Sequence, residues 1–165
     1  MIAVLGNHDH WTAPAGIAAA LREAGITLLA NDAVERGPLA VIGIDDAFSG
    51  HADPARALAA AARLPGAPLV LTHAPDVLPS LPRGRAPLVL TAHTHCGQAV
   101  IPALGVAVSR SPLTGKRLYD PRYQCGIVRD PGRIVVITAG LGTSVVPIRL
   151  GAPPDWWLIR VGGQR

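Results

Sequence analysis

Short apolar runs that end in Gly, Asn, Asp or His recur along the 165 residues, and they constrain the fold more than any other feature of the sequence. Runs of this length and composition predict β-strands. The strand candidates are Ile2–Leu5, Ile26–Leu29, Leu39–Ile44, Pro68–Leu71, Pro87–Leu90, Cys125–Val128 and Ile134–Ile137. Two segments between them, Ala13–Ala24 and Pro54–Leu64, have the Ala, Leu and Arg content of helices. The first half is therefore expected to alternate strand with helix, and the last third to be mostly strand.

The overall composition favours a globular α/β domain. With 49% hydrophobic and 16% charged residues, the chain can bury a core, which excludes a disordered or fibrous protein. No apolar run reaches the ~20 residues that a membrane-spanning helix needs. We therefore expect one α/β domain over residues 1–165, with a mixed or layered sheet. Because Met1 leads directly into the apolar run Ile2–Leu5, we also expect an upstream segment that is missing from this chain.

The formal net charge of +4 favours an anionic partner, such as a phosphate ester, nucleic acid or an anionic membrane surface. Nucleic acid is the weaker hypothesis, because the basic residues are scattered and no aromatic residues alternate with them. These basic residues are Arg83, Arg85, Arg110, Lys116, Arg117 and Arg122.

The two cysteines, Cys96 and Cys125, are too few and too far apart in sequence for a disulfide scaffold or a four-thiolate zinc site. We interpret Cys96 as a packing residue. A reducing compartment is compatible with this content, so we expect a cytoplasmic protein, with peripheral membrane association left open.

Polar groups that can bind metal or transfer protons follow three of the strand candidates. Asn7, His8 and Asp9 leave the first strand through Gly6, and His73 follows Pro68–Leu71. The pair His93 and His95 follows Pro87–Leu90, and at i and i+2 both side chains point to one side of an extended chain. Since the carboxyl ends of strands are where ligands bind in open α/β sheets, the sequence predicts a metal site built from neutral imidazoles and oxygen donors.

The ordered motifs Gly6-Asn7-His8-Asp9, Thr72-His73 and Ala92-His93-Thr94-His95 resemble those of the calcineurin-like metallophosphoesterases. Two later segments, His95-Cys96-Gly97-Gln98 and Gly140-Leu141-Gly142-Thr143-Ser144, are similar to a bacterial phosphodiesterase branch related to hydrolases of UDP-diacylglucosamine type. The resemblance covers nearly the whole chain. It implies a layered β-sandwich flanked by helices, in the order α-β-β-α.

The resemblance also implies a dinuclear metal centre that hydrolyses phosphomonoesters or phosphodiesters, with manganese, iron or zinc as the ions. It assigns Asn7, His73 and His93 to one ion, His95 to the other and His8 to the role of catalytic acid. Asp9 is expected either to orient His8 or to cap the following turn. A phosphate-ester small molecule or a lipid head group is the implied substrate.

The chain departs from the family pattern in two ways. Thr72 and Ala92 stand where glycine usually precedes the later histidines. The opening motifs of the family, an aspartate-x-histidine and a glycine-aspartate pair, have no counterpart. The alternative is therefore a truncated or degenerate domain that keeps the fold, binds metal weakly and does not catalyse. A histidine-rich structural zinc protein would leave Asn7 unexplained.

Several weaker signals are interpreted structurally. We expect a turn at Asp45 and Asp46 and exposed side chains at His10 and His51. Gly140–Ser144 is expected to be a tight turn, and Thr114-Gly115-Lys116 lacks the remainder of a phosphate-binding loop. Two surface loops are predicted in the Pro-, Gly- and Arg-rich segments, Pro79–Pro87 and Ser109–Pro121.

Overall fold

A computed structural model describes residues 1–110, 115 and 117–162, and in these residues it contains three α-helices and ten β-strands. The helices are α1 (Asn7–Thr12), α2 (Pro14–Glu23) and α3 (Pro54–Ala61). The strands are β1 (Ile2–Ala3), β2 (Thr27–Leu28), β3 (Asp32–Arg36), β4 (Leu39–Ile44), β5 (Ala67–Thr72), β6 (Leu88–Thr91), β7 (Val100–Ile101), β8 (Gly105–Val106), β9 (Gly126–Asp130) and β10 (Arg133–Ile137). Short 3₁₀ helices cover Pro75–Ser80, His95–Gly97 and Pro121–Tyr123.

Six strands form the main sheet in the order β3-β4-β5-β6-β10-β9. The four central strands are parallel to their central neighbours, and the two edge strands pair antiparallel. The carboxyl ends of β4, β5, β6 and β10 therefore meet at one edge of the sheet. The loops that follow these strands can converge there.

Each face of the main sheet packs against a different layer. Ile44, Val70 and Val89 lie on one face and pack with Ala57 and Leu58 of α3. On the other face, Val41 and Leu69 pack with Leu29, and Ile2 and Val4 lie against this second core. The pair β1–β2 thus forms a second layer, and α2 contacts β2. The α/β class and the layering of sheets between helices are confirmed.

The structure agrees with most of the predicted elements. Both predicted helices are present, and the Asp53 carboxylate caps α3 by accepting a hydrogen bond from the Arg56 backbone N–H. Strand β3 was missed because it is a polar, mostly exposed edge strand, and α1 was missed because it has only six residues. The expectation that the last third is mostly strand is wrong, since residues 138–162 contain isolated bridges and bends and otherwise irregular backbone.

The first of the two predicted loops is partly buried, and the second lies partly outside the described residues. Pro79 and Ser80 end a 3₁₀ helix, and Leu81 and Ala86 are buried, so the first segment is not wholly surface. Most of residues 111–116 lie outside the described residues, among them Thr114 and Lys116. Across the parts of the chain that the structure describes, no helix has both the length and the apolar character that crossing a membrane requires.

Candidate metal centre

Three predicted ligands converge at the carboxyl edge of the main sheet. Asn7 opens α1, His73 follows β5 and His93 follows β6. The Asn7 Oδ1 atom lies 2.9 Å from His73 Nε2 and 3.2 Å from His93 Nδ1, and the two imidazole nitrogens are 3.2 Å apart. Ligands at ~2.1 Å from a common ion are ~3.0–3.4 Å apart in octahedral or tetrahedral geometry. The spacing of the three atoms therefore matches that of donors around one metal ion.

The hydrogen bonding of His93 identifies which of its ring nitrogens is free to bind metal. Its Nε2 lies 3.1 Å from the Leu118 carbonyl oxygen, and a carbonyl can only accept, so Nε2 carries the hydrogen. In the neutral ring Nδ1 is then an unprotonated acceptor, and it faces Asn7 Oδ1, which is also an acceptor. Two facing lone pairs repel unless a cation lies between them. The donor set therefore fits a divalent ion, and the Leu118 bond orients the ring toward it.

Burial keeps these imidazoles neutral, as metal binding requires. The pKa of His73 is lowered from 6.5 to about 4, first by burial and then by the positive charge of His93, whereas Asp46 opposes the shift. Burial is also the main cause that lowers the pKa of His93. Both rings are thus neutral near pH 7 and can offer a lone pair without first losing a proton.

Gly6 allows α1 to begin directly against the imidazole of His73. A Cβ built on Gly6 would lie 2.8 Å from both Cε1 and Nδ1 of that ring, which no side chain tolerates without displacement. The glycine that precedes Asn7 is therefore a steric requirement of the site.

His95 is on the same loop as His93 but has different neighbours. No hydrogen bond joins it to Asn7, His73 or His93 among the described residues, and its Nδ1 lies 3.3 Å from Arg149 Nη2. Arg149 Nη1 also donates to the His95 carbonyl at 3.3 Å. The pKa of His95 is lowered by burial and then by the positive charge of Arg149. The structure thus brings three of the four predicted ligands into mutual contact and leaves His95 beside them.

His8 is exposed on α1 and lies beside the loop that carries Ser144. Its Nε2 lies 3.2 Å from the hydroxyl oxygen of Ser144, and its ring makes an edge contact with Trp11 at 5.3 Å between centroids. Of the two roles expected for Asp9, orienting His8 or capping the turn, the structure shows the cap. Its carboxylate accepts a hydrogen bond of 2.8 Å from the Gly6 N–H at the start of α1.

One interpretation of a polar residue near the site needs correction. His10 is buried rather than exposed, since its side chain is only 8% accessible and bonds to Asp45 at 2.8 Å. It also stacks on His51, whose exposure is confirmed. Asp46 lies in the expected loop but is fully buried, and its carboxylate accepts the Ser49 N–H at 2.7 Å.

The interpretation of Cys96 as a packing residue is wrong, because Cys96 and Cys125 form a disulfide with 4.7 Å between their Cα atoms. The count of two cysteines excluded a scaffold but not one bridge between distant segments. The disulfide joins the loop that carries His93 and His95 to the start of β9.

Three residues near the site were not predicted to take part in it. Phe48 packs on His93 with 4.5 Å between ring centroids. Ser144 contacts His8, and Gln98 holds the backbone of Ser144 with hydrogen bonds of 2.7 and 2.9 Å. Gln98 and Ser144 each end one of the two later motifs that carry the family resemblance, so those motifs could have indicated that both residues lie at the site. Gly140–Ser144 is therefore more than a tight turn.

Comparison with known proteins gives matches along almost the entire chain. Phosphodiesterase YaeI of Escherichia coli (strain K12) is 32% identical over 163 residues, which cover 93% of this chain and 55% of YaeI. An uncharacterized metallophosphoesterase of Aquifex aeolicus is 29% identical over 98% of this chain and 60% of its own length. The uncharacterized metallophosphoesterase YkuE of Bacillus subtilis is 27% identical over 93% of this chain and 53% of YkuE. No family model and no solved structure matches.

The mixed sheet with its flanking helices is the fold expected of a metallophosphoesterase. These matches, all to proteins named metallophosphoesterase or phosphodiesterase, support the calcineurin-like metallophosphoesterase superfamily as the family of this chain. The chain spans little more than half the length of the curated relatives given above.

Proposed function

We propose that this protein hydrolyses phosphoric monoesters or diesters with a dinuclear metal centre and a histidine acid. The observation that carries the proposal is the convergence of one amide oxygen and two imidazole nitrogens within 3.2 Å of each other. Asn7, His73 and His93 would hold one divalent ion, and His95 would contribute to a second. When bound, the ions would supply Lewis-acid polarisation of the phosphoryl group.

Residues of this chain would supply the remaining functions. His8 would hold at Nε2 the proton that passes to the leaving oxygen, and Ser144, 3.2 Å away, would orient the ring. The Leu118 carbonyl would keep the proton of His93 on Nε2, so that Nδ1 stays available as a ligand. Gly6 would let Asn7 approach His73 closely.

Metal identity, substrate and location are parts of the same proposal. Manganese, iron or zinc would fit nitrogen and oxygen donors. We propose an anionic phosphate ester, either a small molecule or a lipid head group, rather than nucleic acid. The relation to UDP-diacylglucosamine hydrolases and a cytoplasmic location both stay predictions. The Cys96–Cys125 disulfide argues against the cytoplasm, where such bonds are rare.

Metal binding is the first test. Equilibrium dialysis against Mn²⁺ is expected to load wild-type protein and to load His93→Ala much more weakly. His51→Ala is the matched control, because His51 is an exposed imidazole outside the three-residue cluster. With binding established, hydrolysis of a chromogenic phosphodiester is measured with and without Mn²⁺. Wild-type protein that binds no divalent ion would refute the proposal.

The alternative, a non-catalytic domain that binds metal weakly, is supported by one observation. His95 lies against the guanidinium of Arg149, whose positive charge opposes a second cation nearby. A protein that binds one Mn²⁺ per chain and hydrolyses no ester, even when preceded by an upstream segment of a relative, would favour this alternative.

A further inference from the structure

Two aromatic side chains lie beside the candidate metal centre, although the chain holds only three Trp, two Tyr and one Phe. Trp11 is 61% exposed, whereas tryptophan is mostly buried in folded proteins. Phe48 is half-buried. Within the described residues neither side chain is part of a hydrophobic core. Core packing therefore does not account for their positions.

Helix α1 places Trp11 next to the candidate acid. Trp11 follows His8 by three residues and Asn7 by four, and residues at these spacings are neighbours on one side of a helix. The indole accordingly makes an edge contact with the His8 imidazole, with 5.3 Å between ring centroids. The helix is held in place, because the buried side chain of His10 bonds to Asp45 at 2.8 Å. The indole is thus presented from a fixed position beside His8.

Phe48 lies between Trp11 and the ligand cluster. Its ring centroid is 4.5 Å from that of the His93 imidazole and 6.1 Å from that of the indole. Both distances are typical of aromatic contacts. The loop that carries Phe48 is anchored by the Ser49 N–H, which donates to the buried Asp46 carboxylate at 2.7 Å. We call Trp11 and Phe48 the aromatic wall, and it extends from the candidate acid to a candidate metal ligand.

The position of the aromatic wall identifies the part of a substrate that would contact it. A general acid lies within about 2.6–3.2 Å of the oxygen that it protonates, so the leaving oxygen would lie at His8. The group bonded to that oxygen would then lie against the indole, whose centroid is 5.3 Å from that of the imidazole. Stacking of a planar ring on an aromatic side chain raises affinity by roughly five- to a hundredfold, and an aliphatic group gains little of this.

We propose that the aromatic wall binds a planar aromatic ring in the leaving group of the phosphate ester, and so selects such esters over those of aliphatic alcohols. The inference rests on the proposed function and adds the chemical class of the leaving group. The ring is either bonded directly to the leaving oxygen, as in a phenol, or carried by a ribose, as in a nucleoside. A purely structural role for Trp11, such as orienting His8, would affect all esters equally.

Binding of two phosphonates tests the selection. In benzylphosphonate and ethylphosphonate a methylene group replaces the leaving oxygen, so neither is hydrolysed, and only the first carries a ring. Calorimetry with Zn²⁺-loaded protein is expected to show that Trp11→Ala and Phe48→Leu each weaken benzylphosphonate binding about tenfold and ethylphosphonate binding less than about twofold. Trp11→Phe, which keeps a ring, should retain most of the benzylphosphonate binding. Trp156→Ala is the matched control, because Trp156 is 73% exposed and, among the described residues, makes no ring contact with the aromatic wall.

The indole N–H signal of Trp11 in NMR spectra reports ring binding without metal. The signal is identified by its loss in Trp11→Phe. Phenol or adenosine, added to metal-free protein, is expected to shift it. The compound that does so at the lower concentration identifies the ring as aryl or nucleoside.

Three results would overturn the proposal. Equal weakening of both phosphonates by Trp11→Ala would make Trp11 a structural residue, and unchanged benzylphosphonate binding in both wall variants would exclude a ring site. The third is an indole signal that neither phenol nor adenosine shifts. Protein that binds no Zn²⁺, but whose Trp11 signal responds to phenol or adenosine, would refute the proposed function alone.

Discussion

Breaking the Cys96–Cys125 disulfide is expected to destabilise the protein strongly. The bond links residues 29 apart in sequence, and the chain-entropy relation for a loop of this size gives about 3.5 kcal/mol. For 165 residues the entropy of unfolding is roughly 0.35 kcal/mol/K, so Tm should fall by about 10 °C. Because Cys125 is exposed, a small dithiol can reach the bond without unfolding the chain.

Reduction should also weaken metal binding, because the loop carrying His93 and His95 has an unfavourable backbone. His93, His95 and Cys96 have φ values of +65°, +50° and +54°. Such residues persist only where the surroundings hold them. The disulfide provides one restraint, and the Thr94 hydroxyl provides another by donating to the Gln124 carbonyl at 2.6 Å. Reduced protein keeps the hydrogen bonds to this loop but loses its covalent restraint.

The assay compares thermal unfolding of oxidised protein, protein reduced with dithiothreitol and a Cys96→Ala/Cys125→Ala variant. After removal of the reductant without oxygen, Mn²⁺ titration gives the Kd of each form. The variant serves as the control, since dithiothreitol should leave its Tm unchanged. The reasoning is refuted if reduction shifts Tm by less than about 3 °C, or if unreduced, denatured protein shows two free thiols per chain.

Three further outcomes follow from the site. In protein without metal, the free energy of unfolding should decline as pH falls from 6.5 toward 4. His73 gains a proton over this range in the unfolded state, whereas in the folded state, where its pKa is lowered to about 4, it does not. Urea titrations at several pH values measure this decline, and a flat profile would contradict it. Gly6→Ala should cost about 1–3 kcal/mol and weaken Mn²⁺ binding, whereas Gly16→Ala in α2, with no close contact, should do neither. In active protein, His8→Ala should lower kcat by ~10²–10⁴ while bound metal stays constant, and a parallel loss of both would make His8 a ligand.

The sequence allowed the central strands and the convergence of Asn7, His73 and His93 to be predicted, because both follow from local patterns. Buried parallel strands are short apolar runs, and the residues after their carboxyl ends share an edge. Strand β3 could not be predicted in this way, since an edge strand that is mostly exposed carries no such pattern.

The parts of the site that depend on distant pairs could not be predicted. The disulfide requires β9 to start beside the loop after β6, and nothing near Cys96 indicates this. The burial of His10 depends likewise on Asp45, which is 35 residues away. The placement of His95 beside Arg149 spans 54 residues, and the sequence motif gave no sign of it.

The geometry of the candidate ligand cluster, Asn7, His73 and His93, depends on the register of β5 and β6. These strands pair in parallel with Val70 opposite Val89 and Leu71 opposite Leu90. The register continues past the strands, because the His73 carbonyl accepts hydrogen bonds of 2.9 Å from the Thr91 hydroxyl and the Ala92 N–H. A slip of one residue would turn the side chains that follow each strand to the opposite face. The same strand pairing that buries Val70 and Val89 in the core therefore sets the distance between His73 and His93, so the candidate ligands are positioned by the most buried part of the fold.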